Sequence, residues 1–381
     1  MNWQRILSLG DFEPAARGRL PRSIFGFVAG GAEEGRSLRA NREAFDGFAF
    51  RPQVLVDVSN RSQATSLFGS RCAMPVGVAP MGAAGLCRFE ADLALARAAC
   101  AAGVPCVLSA VSTVPLERVI REAPGTWYQA YIPSDRERVG RLLDRLRVAG
   151  YEVLVITLDV PVAANRENNL RNGFSMPPRL NMQLALDGLT HPRWLAGTLA
   201  RTLLRGGIPR FENIAAERGG WIIAEDRQGF RAGRDALSWS DVAWIRGQWK
   251  GRLVLKGILS ARDARRACEA GADGIIVSNH GGRQLDGAIA PLRALPEVAA
   301  AAGDAVVMID GGIRRGTDVL TALALGAKFA FVGRPMLFAA AIAGEAGVAH
   351  ALGILRQEID RDLALLGCTD IASVTRELLA A

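Results

Sequence analysis

Eight short apolar runs restrict this chain more than any other feature. They lie at 76–79, 104–108, 127–130, 153–156, 253–255, 274–277, 306–309 and 329–332. Most lack the polar–apolar alternation of a half-exposed strand, and uninterrupted apolar runs mark parallel strands covered on both faces. Helical patterns fall between most of them, at 90–103, 135–150, 260–271 and 315–326. Gly103, Gly150, Gly271 and Gly326 come at or just past these helix ends, where a C-terminus favours glycine. The alternation predicts an α/β protein, a (β/α)8 TIM barrel over about 75–340. A doubly wound open sheet is the competing topology, but the first turn, APMGAAG, lacks its glycine fingerprint.

A barrel of this kind accommodates all 381 residues as a single domain, 1–381, with half of the residues apolar and 42 glycines for its turns. Two segments stand outside the repeat. The first 70 residues read as helices plus an extended piece, a lid over one barrel end. Residues 172–250 form a long insertion after the fourth strand, and long insertions usually carry function. Within it, PRWLAGTLARTLLRGGIPR sets Trp194, Leu195, Leu199, Leu203 and Leu204 among Arg193, Arg201, Arg205 and Arg210. That pattern suits a basic amphipathic helix on a membrane surface over about 190–210, and equally a surface helix packed on the barrel.

No apolar stretch reaches the ~18 residues of a spanning helix, and MNWQRILSLGDFEP turns polar too early for a secretory signal. The six cysteines form no C-x-x-C pair and read as reduced core residues of a cytoplasmic protein. Three scattered histidines speak against a zinc site. The net charge of +8 suits nucleic acid, an anionic membrane or anionic small ligands. No basic run interleaved with aromatics appears, so nucleic acid is not expected.

Barrel active sites lie at the C-terminal ends of the strands. Those ends carry Pro80, Met81 and Gly82, then Ser109, Gln129 with Tyr131, and Thr157 with Asp159. Beyond the insertion they carry Lys256, Ser278-Asn279-His280, Asp310-Gly311-Gly312 and Gly333-Arg334. The last two turns, IDGGIRRGTD and VGRP, predict a phosphate site: Gly311, Gly312 and Gly333 let backbone N–H groups approach, and Arg314 and Arg334 add charge. A flat polar heterocycle then lies across the mouth, edged by Ser109, Gln129 and Thr157. Lys256 would offset negative charge on its reduced form.

VLKGI, SNHGGRQLDG, DGGIRRGTDV and VGRP, in this order and spacing, resemble the FMN-dependent 2-hydroxy-acid dehydrogenases and oxidases. The resemblance covers nearly the whole chain, from LPRSIFGFVAGGAEE to the C-terminal helix. It implies FMN as cofactor, His280 as base, Asp159 as partner of its imidazolium, and Arg283 as clamp on the substrate carboxylate. It places Tyr131 at the substrate oxygen, Arg166 as a second arginine, and Lys256 beside the flavin N1/C2 carbonyl edge. THPRW and Gly82 most resemble the quinone-linked, membrane-associated lactate dehydrogenases. That implies a quinone or other carrier as acceptor, a peripheral position on the inner face of the cytoplasmic membrane, and a homotetramer. The chain departs from the family pattern at Phe27, where a tyrosine usually meets the substrate carboxylate; a missing hydroxyl costs roughly 1–3 kcal/mol. The leading expectation is oxidation of an L-2-hydroxy acid, lactate-like or larger. Oxygen as acceptor, or an amine or modified peptide as substrate, is the alternative. A noncatalytic scaffold on the same barrel would have lost one of His280, Asp159, Arg283 or Lys256, and all four are present.

Overall fold

The eight apolar runs become eight parallel strands in a computed structural model that describes residues 3–175, 177, 182–224 and 233–380. They are β1 Val76–Val78, β2 Val107–Ser109, β3 Trp127–Ala130, β4 Val153–Thr157, β5 Arg252–Ile258, β6 Gly274–Val277, β7 Val306–Asp310 and β8 Phe329–Val332. Each of β2 to β8 pairs with its sequence neighbour, and β8 pairs with β1. A bridge between Val78 and Cys106, with Val78 N–H donating to the Pro105 carbonyl at 2.9 Å, joins β1 to β2 and closes the ring. The closed barrel excludes the open sheet.

The outer layer is α1 Ala91–Ala101, α2 Leu116–Glu122, α3 Arg136–Ala149, α4 Trp239–Gln248, α5 Ala261–Glu269, α6 Pro291–Ala301, α7 Gly316–Ala324, α8 Arg334–Ala343 and a closing α9 Glu345–Leu366. Gly103, Gly150, Gly271 and Gly326 all have left-handed φ, between 68° and 110°, so each ends its helix where a side chain would be strained.

The barrel lumen is a separate apolar cluster of Val107, Trp127, Val155, Val254, Ile276, Met308, Phe329 and Phe331. Its floor is not made by the strands. A hairpin, Thr65–Leu67 paired with Ser70–Cys72, pushes Leu67, Phe68 and Cys72 into it from the N-terminal ends of the strands. The lid expectation for the first 70 residues was therefore incomplete, because this segment serves both ends. Its helices, Arg22–Ala29 and Arg36–Asp46, cover the opposite rim, where Ala32 N–H donates to the Gly282 carbonyl at 2.9 Å. Asn41 and Asn279 exchange two amide hydrogen bonds at 2.8 and 2.7 Å.

In the insertion, residues 192–206 run as one helix with a wide turn over Leu195–Ala200. Trp194 is buried and donates Nε1–H to the Leu86 carbonyl at 2.8 Å, and Thr198 is buried with it. Leu199, Leu203 and Leu204 face outward, the last 87% exposed. One face of the helix docks on the barrel while the other is apolar and bare. No helix of the described residues is long and apolar enough to cross a membrane.

Candidate active site

Strand register sets polar side chains at one level of the rim: Ser109 pairs with Gln129 and Thr157 with Lys256. Above them opens a cavity of about 1310 Å³. Pockets for drug-sized ligands commonly measure roughly 300–1,000 Å³, so the space suits a cofactor together with a substrate. Its walls include Pro80, Met81, Gly82, Gln129, Thr157, Lys256, Asp310, Gly311, Gly312, Arg314, Gly333 and Arg334. Phe27, Tyr131, Arg166, His280 and Arg283 complete them. Ser109, Asp159 and Ser278 lie one layer behind and act on the wall through hydrogen bonds.

His280 sits on the turn after β6 with φ +59°, a left-handed conformation uncommon for a residue with a side chain. Its N–H donates to Ser278 Oγ at 3.0 Å, and its Nδ1 lies 2.8 Å from Asp159 Oδ1. Burial holds the imidazole below its ordinary value; Asp159 pulls it back up, against the Lys256 and Arg166 charges. Burial pushes the Asp159 carboxyl up, but His280 and Lys256 outweigh it and keep it below the ordinary range. Because a carboxylate can only accept, the 2.8 Å contact calls for Nδ1–H, and the neutral imidazole that burial favours then carries its basic lone pair on Nε2.

Asp159 can come this close because β5 bulges after Lys256. There Gly257 has φ +105°, and a Cβ on it would meet the Asp159 Cβ at 2.7 Å. Bulges commonly re-aim side chains beside active sites. On the same strand, Lys256 is 3% exposed, donates to Ser278 Oγ at 2.7 Å and pairs with Asp310 Oδ2 at 3.1 Å. Burial alone would lower it; Asp310 and Asp159 together hold its ammonium above the ordinary lysine value.

The fit to FMN rests on what these groups leave open. Gln129 accepts from Ser109 Oγ at 3.0 Å, yet its buried Nε2 donor has no partner among the described residues. The buried Asp310 Oδ1 acceptor is likewise unmatched. Unsatisfied buried polar atoms around a cavity are the complement of a polar ring edge. At the other end, Gly311 and Gly312 have φ +97° and +84°, and a Cβ on Gly312 would strike the Asn41 carbonyl at 2.1 Å. Gly333 is the N-cap of α8, so the start of that helix opens on the cavity beside the Gly311–Gly312 turn, whereas Asp318 and Glu358 already take the N–H groups that lead into α7. Arg314 is pushed down by burial and by the Arg42 charge, as expected of a guanidinium short of counter-charge. These residues fit a phosphate-bearing flavin.

Arg283 and Arg334 are both engaged by main-chain carbonyls. Arg283 donates to the Val28 and Gly30 carbonyls at 3.2 and 2.9 Å, and Arg334 to the same two at 3.0 Å each, plus Gly281. Two guanidinium groups thus share the C-terminal carbonyls of helix Arg22–Ala29, the negative end of its dipole. Burial, and after it neighbouring arginine charges, lower both, Arg334 to about 10 in all.

Phe27 faces the cavity, stacked on Phe174 at 4.5 Å between centroids, with the Arg283 guanidinium 5.2 Å from its ring. The wall that a tyrosine hydroxyl would make polar is an aromatic pair under a cation. Arg166 donates to the Arg283 carbonyl at 3.2 Å and to Gln284 Oε1 at 2.9 Å, while Gln284 donates to the Asp159 carbonyl at 3.1 Å. The Asp286 carboxylate takes the Arg36 and Ser37 N–H groups at 3.1 and 2.8 Å. Gln284 and Asp286 thus brace the loop. Sequence reasoning missed Phe174, Gly257 and Arg234, whose guanidinium lies 4.4 Å from the Tyr131 ring centroid. Only Gly257 stood inside a quoted motif, VLKGI.

A closed α/β barrel with a phosphate corner, a buried lysine and a His–Asp pair in one cavity defines a flavin-dependent oxidoreductase. The FMN-dependent dehydrogenase family matches residues 16–381, and the chain belongs to that family. It is 39% identical to the (S)-mandelate dehydrogenase of Pseudomonas putida over 377 residues, 99% of this chain and 94% of the relative. Identity to the L-lactate dehydrogenase of Azorhizobium caulinodans is 41% over 381 residues, 98% of each chain. A crystal structure of the monotopic membrane protein (S)-mandelate dehydrogenase superposes with a TM-score of 0.93 at 38% identity, covering 99% of both chains.

Proposed function

We propose that this enzyme oxidises an L-2-hydroxy acid to the 2-keto acid and passes the electrons to a quinone at a membrane surface. The observation that carries the reading is the His280–Asp159 pair, 2.8 Å apart, beside Arg283 and Lys256 in one cavity. Oxidising R–CH(OH)–COO⁻ requires removal of a proton by a base that is unprotonated at working pH, and His280 Nε2, held below the ordinary imidazole value by burial, is such a group. Asp159 stabilises the imidazolium that results. Arg283 and Arg166 bind the substrate carboxylate, Arg283 by exchanging its bonds to the Val28 and Gly30 carbonyls for a charged partner. Tyr131, kept protonated by burial, donates to the substrate oxygen. Bound FMN supplies the two-electron acceptor. Gly311, Gly312 and Arg314 would hold its phosphate, Gln129 and Ser109 one ring edge, and Lys256 the charge beside it. The aromatic wall of Phe27 and Phe174 favours an aryl or long apolar side chain over a methyl group.

The test is anaerobic mixing of the FMN-loaded protein with L-lactate, L-mandelate and longer L-2-hydroxy acids, followed by flavin bleaching. Bleaching fastest with the aryl acid is expected, and none with any acid would overturn the reading. Reoxidation of the bleached protein with oxygen or a short-chain quinone then decides the acceptor; faster reoxidation by quinone is expected.

A membrane position is supported by the bare leucines of residues 192–206 and by the relative described as monotopic. Because Trp194 is packed into the barrel, removing 190–210 would disturb the fold, so Leu203→Ser/Leu204→Ser is the better test. That variant should leave sedimenting vesicles and keep dye-linked activity.

A further inference from the structure

Four arginines gather where the insertion helix meets the barrel. Arg19 follows a short helix, Phe12–Arg17, Arg88 lies between β1 and α1, and Arg193 and Arg201 stand on the 192–206 helix. No carboxylate pairs with any of the four among the described residues. They feel one another: Arg19 is held down by burial and by Arg193, and Arg88 by burial, Arg19 and Arg201.

A second cavity, about 210 Å³, opens at this point between Arg88, Phe89, Arg97, Arg201 and the first turn of α9. Arg88 is fixed by donating to the Ile342 carbonyl at 3.2 Å, and Arg201 lies 4.8 Å from the Phe89 ring centroid. Glu90 and Glu345 also line it, but Glu90 is taken by Arg118 at 2.5 Å, and Glu345 lies 3.9 Å from Arg97. The site is small for a cofactor and ample for a phosphate group. Three residues beyond Arg201, Leu204 is 87% exposed, with Leu203 beside it at 46%. Unpaired cationic side chains beside bare apolar ones complement a headgroup above acyl chains.

We propose that Arg88 and Arg201 take the phosphate of an anionic phospholipid headgroup in this cavity, seating the insertion helix on the membrane while Leu203 and Leu204 enter the interface. The proposal rests on the membrane position inferred above and adds to it a discrete lipid site, which two arms of one experiment separate. FMN-loaded protein is sedimented with phosphatidylcholine vesicles, with and without phosphatidylglycerol. Arg88→Gln/Arg201→Gln is compared with Arg262→Gln/Arg265→Gln, an equal charge loss on the exposed face of α5. The first pair should lose affinity for the phosphatidylglycerol vesicles by roughly tenfold or more. The control pair should stay within about twofold, and both should keep dye-linked activity. Arg201→Gln alone, on an exposed turn, should show a smaller loss in the same direction and guards against a folding defect at Arg88. Equal losses in both pairs would mean diffuse attraction and overturn the site. Binding lost in Leu203→Ser/Leu204→Ser but unchanged by the arginine variants would overturn the site and leave the membrane position standing. A wild-type protein that binds neither vesicle sinks both.

Discussion

His280 Nδ1 and Asp159 Oδ1 stand 2.8 Å apart although 121 positions separate them in the chain. The contact needs two backbone irregularities at once, the left-handed φ of His280 and the bulge at Gly257. The left-handed φ is costly for His280, which carries a side chain, and strain of this kind concentrates at functional sites. The pair also sets a tautomer, since only Nδ1–H donating to Asp159 leaves Nε2 bare.

Asp159→Asn should therefore lower kcat by about 10²–10⁴ with little change in fold, because the amide neither selects that tautomer nor stabilises the imidazolium. The pH profile carries the sign. Neutral His280 is the active form, so kcat/KM rises with pH through the His280 ionisation, which burial holds below the ordinary imidazole value. Asp159 opposes that lowering, so removing it should move the acidic limb to lower pH. A limb that stays put or moves up refutes the coupling.

Phe27→Tyr should strengthen carboxylate binding. The new hydroxyl would stand at the edge of the Phe27–Phe174 stack, close to the Arg283 guanidinium. A hydrogen bond worth about 1 kcal/mol corresponds to roughly a fivefold fall in KM for L-lactate, with kcat nearly unchanged. The gain should be smaller for L-mandelate if the aryl ring already covers the aromatic wall. Steady-state kinetics on both substrates decides this.

The rim was legible in the sequence for a physical reason. Strands buried on both faces read as unbroken apolar runs, so the first polar residue after each, such as Lys256, Ser278 or Asp310, marks where the strand leaves the core. The phosphate corner was legible because Gly311 and Gly312 answer a backbone requirement that few other residues meet. The floor was not: TSLFGSRC holds two three-residue strands whose burial depends on a lumen that exists only once the barrel has closed. Nor was the sharing of the Val28 and Gly30 carbonyls by Arg283 and Arg334, since it depends on where helix Arg22–Ala29 ends in space. Phe174 sits in RNGFS without periodicity or motif, and its stack with Phe27 follows from the fold alone.

Asp92, in the first turn of α1, is 4% exposed and has a buried Oδ2 without a partner among the described residues. Burial pushes its carboxyl up to about 7, against hydrogen bonds from Ser112 and Thr113. The folded state thus prefers the protonated acid. Stability from this group is complete below the unfolded-state value near 3.8 and is lost as pH rises to about 7. The loss is of order 4 kcal/mol. Asp92→Asn should stabilise the protein at pH 8 and flatten its stability between those limits. Urea unfolding of both proteins across that range checks it, and parallel curves would refute it.

Lys256 and Asp310 form a buried ion pair at 3.1 Å, and Ser278 is the third member of the group. Removing one partner of such a pair leaves an uncompensated charge and costs about 3–5 kcal/mol, whereas removing both is often close to neutral. Lys256→Met should accordingly destabilise the flavin-free protein strongly in urea, and Lys256→Met/Asp310→Asn should recover most of the loss. Function should not recover with stability. If Lys256 offsets negative charge on reduced FMN, both variants lose that effect, and the flavin potential of each should fall below that of the wild type. A double variant restored in stability and in potential alike would show that the lysine serves the fold alone.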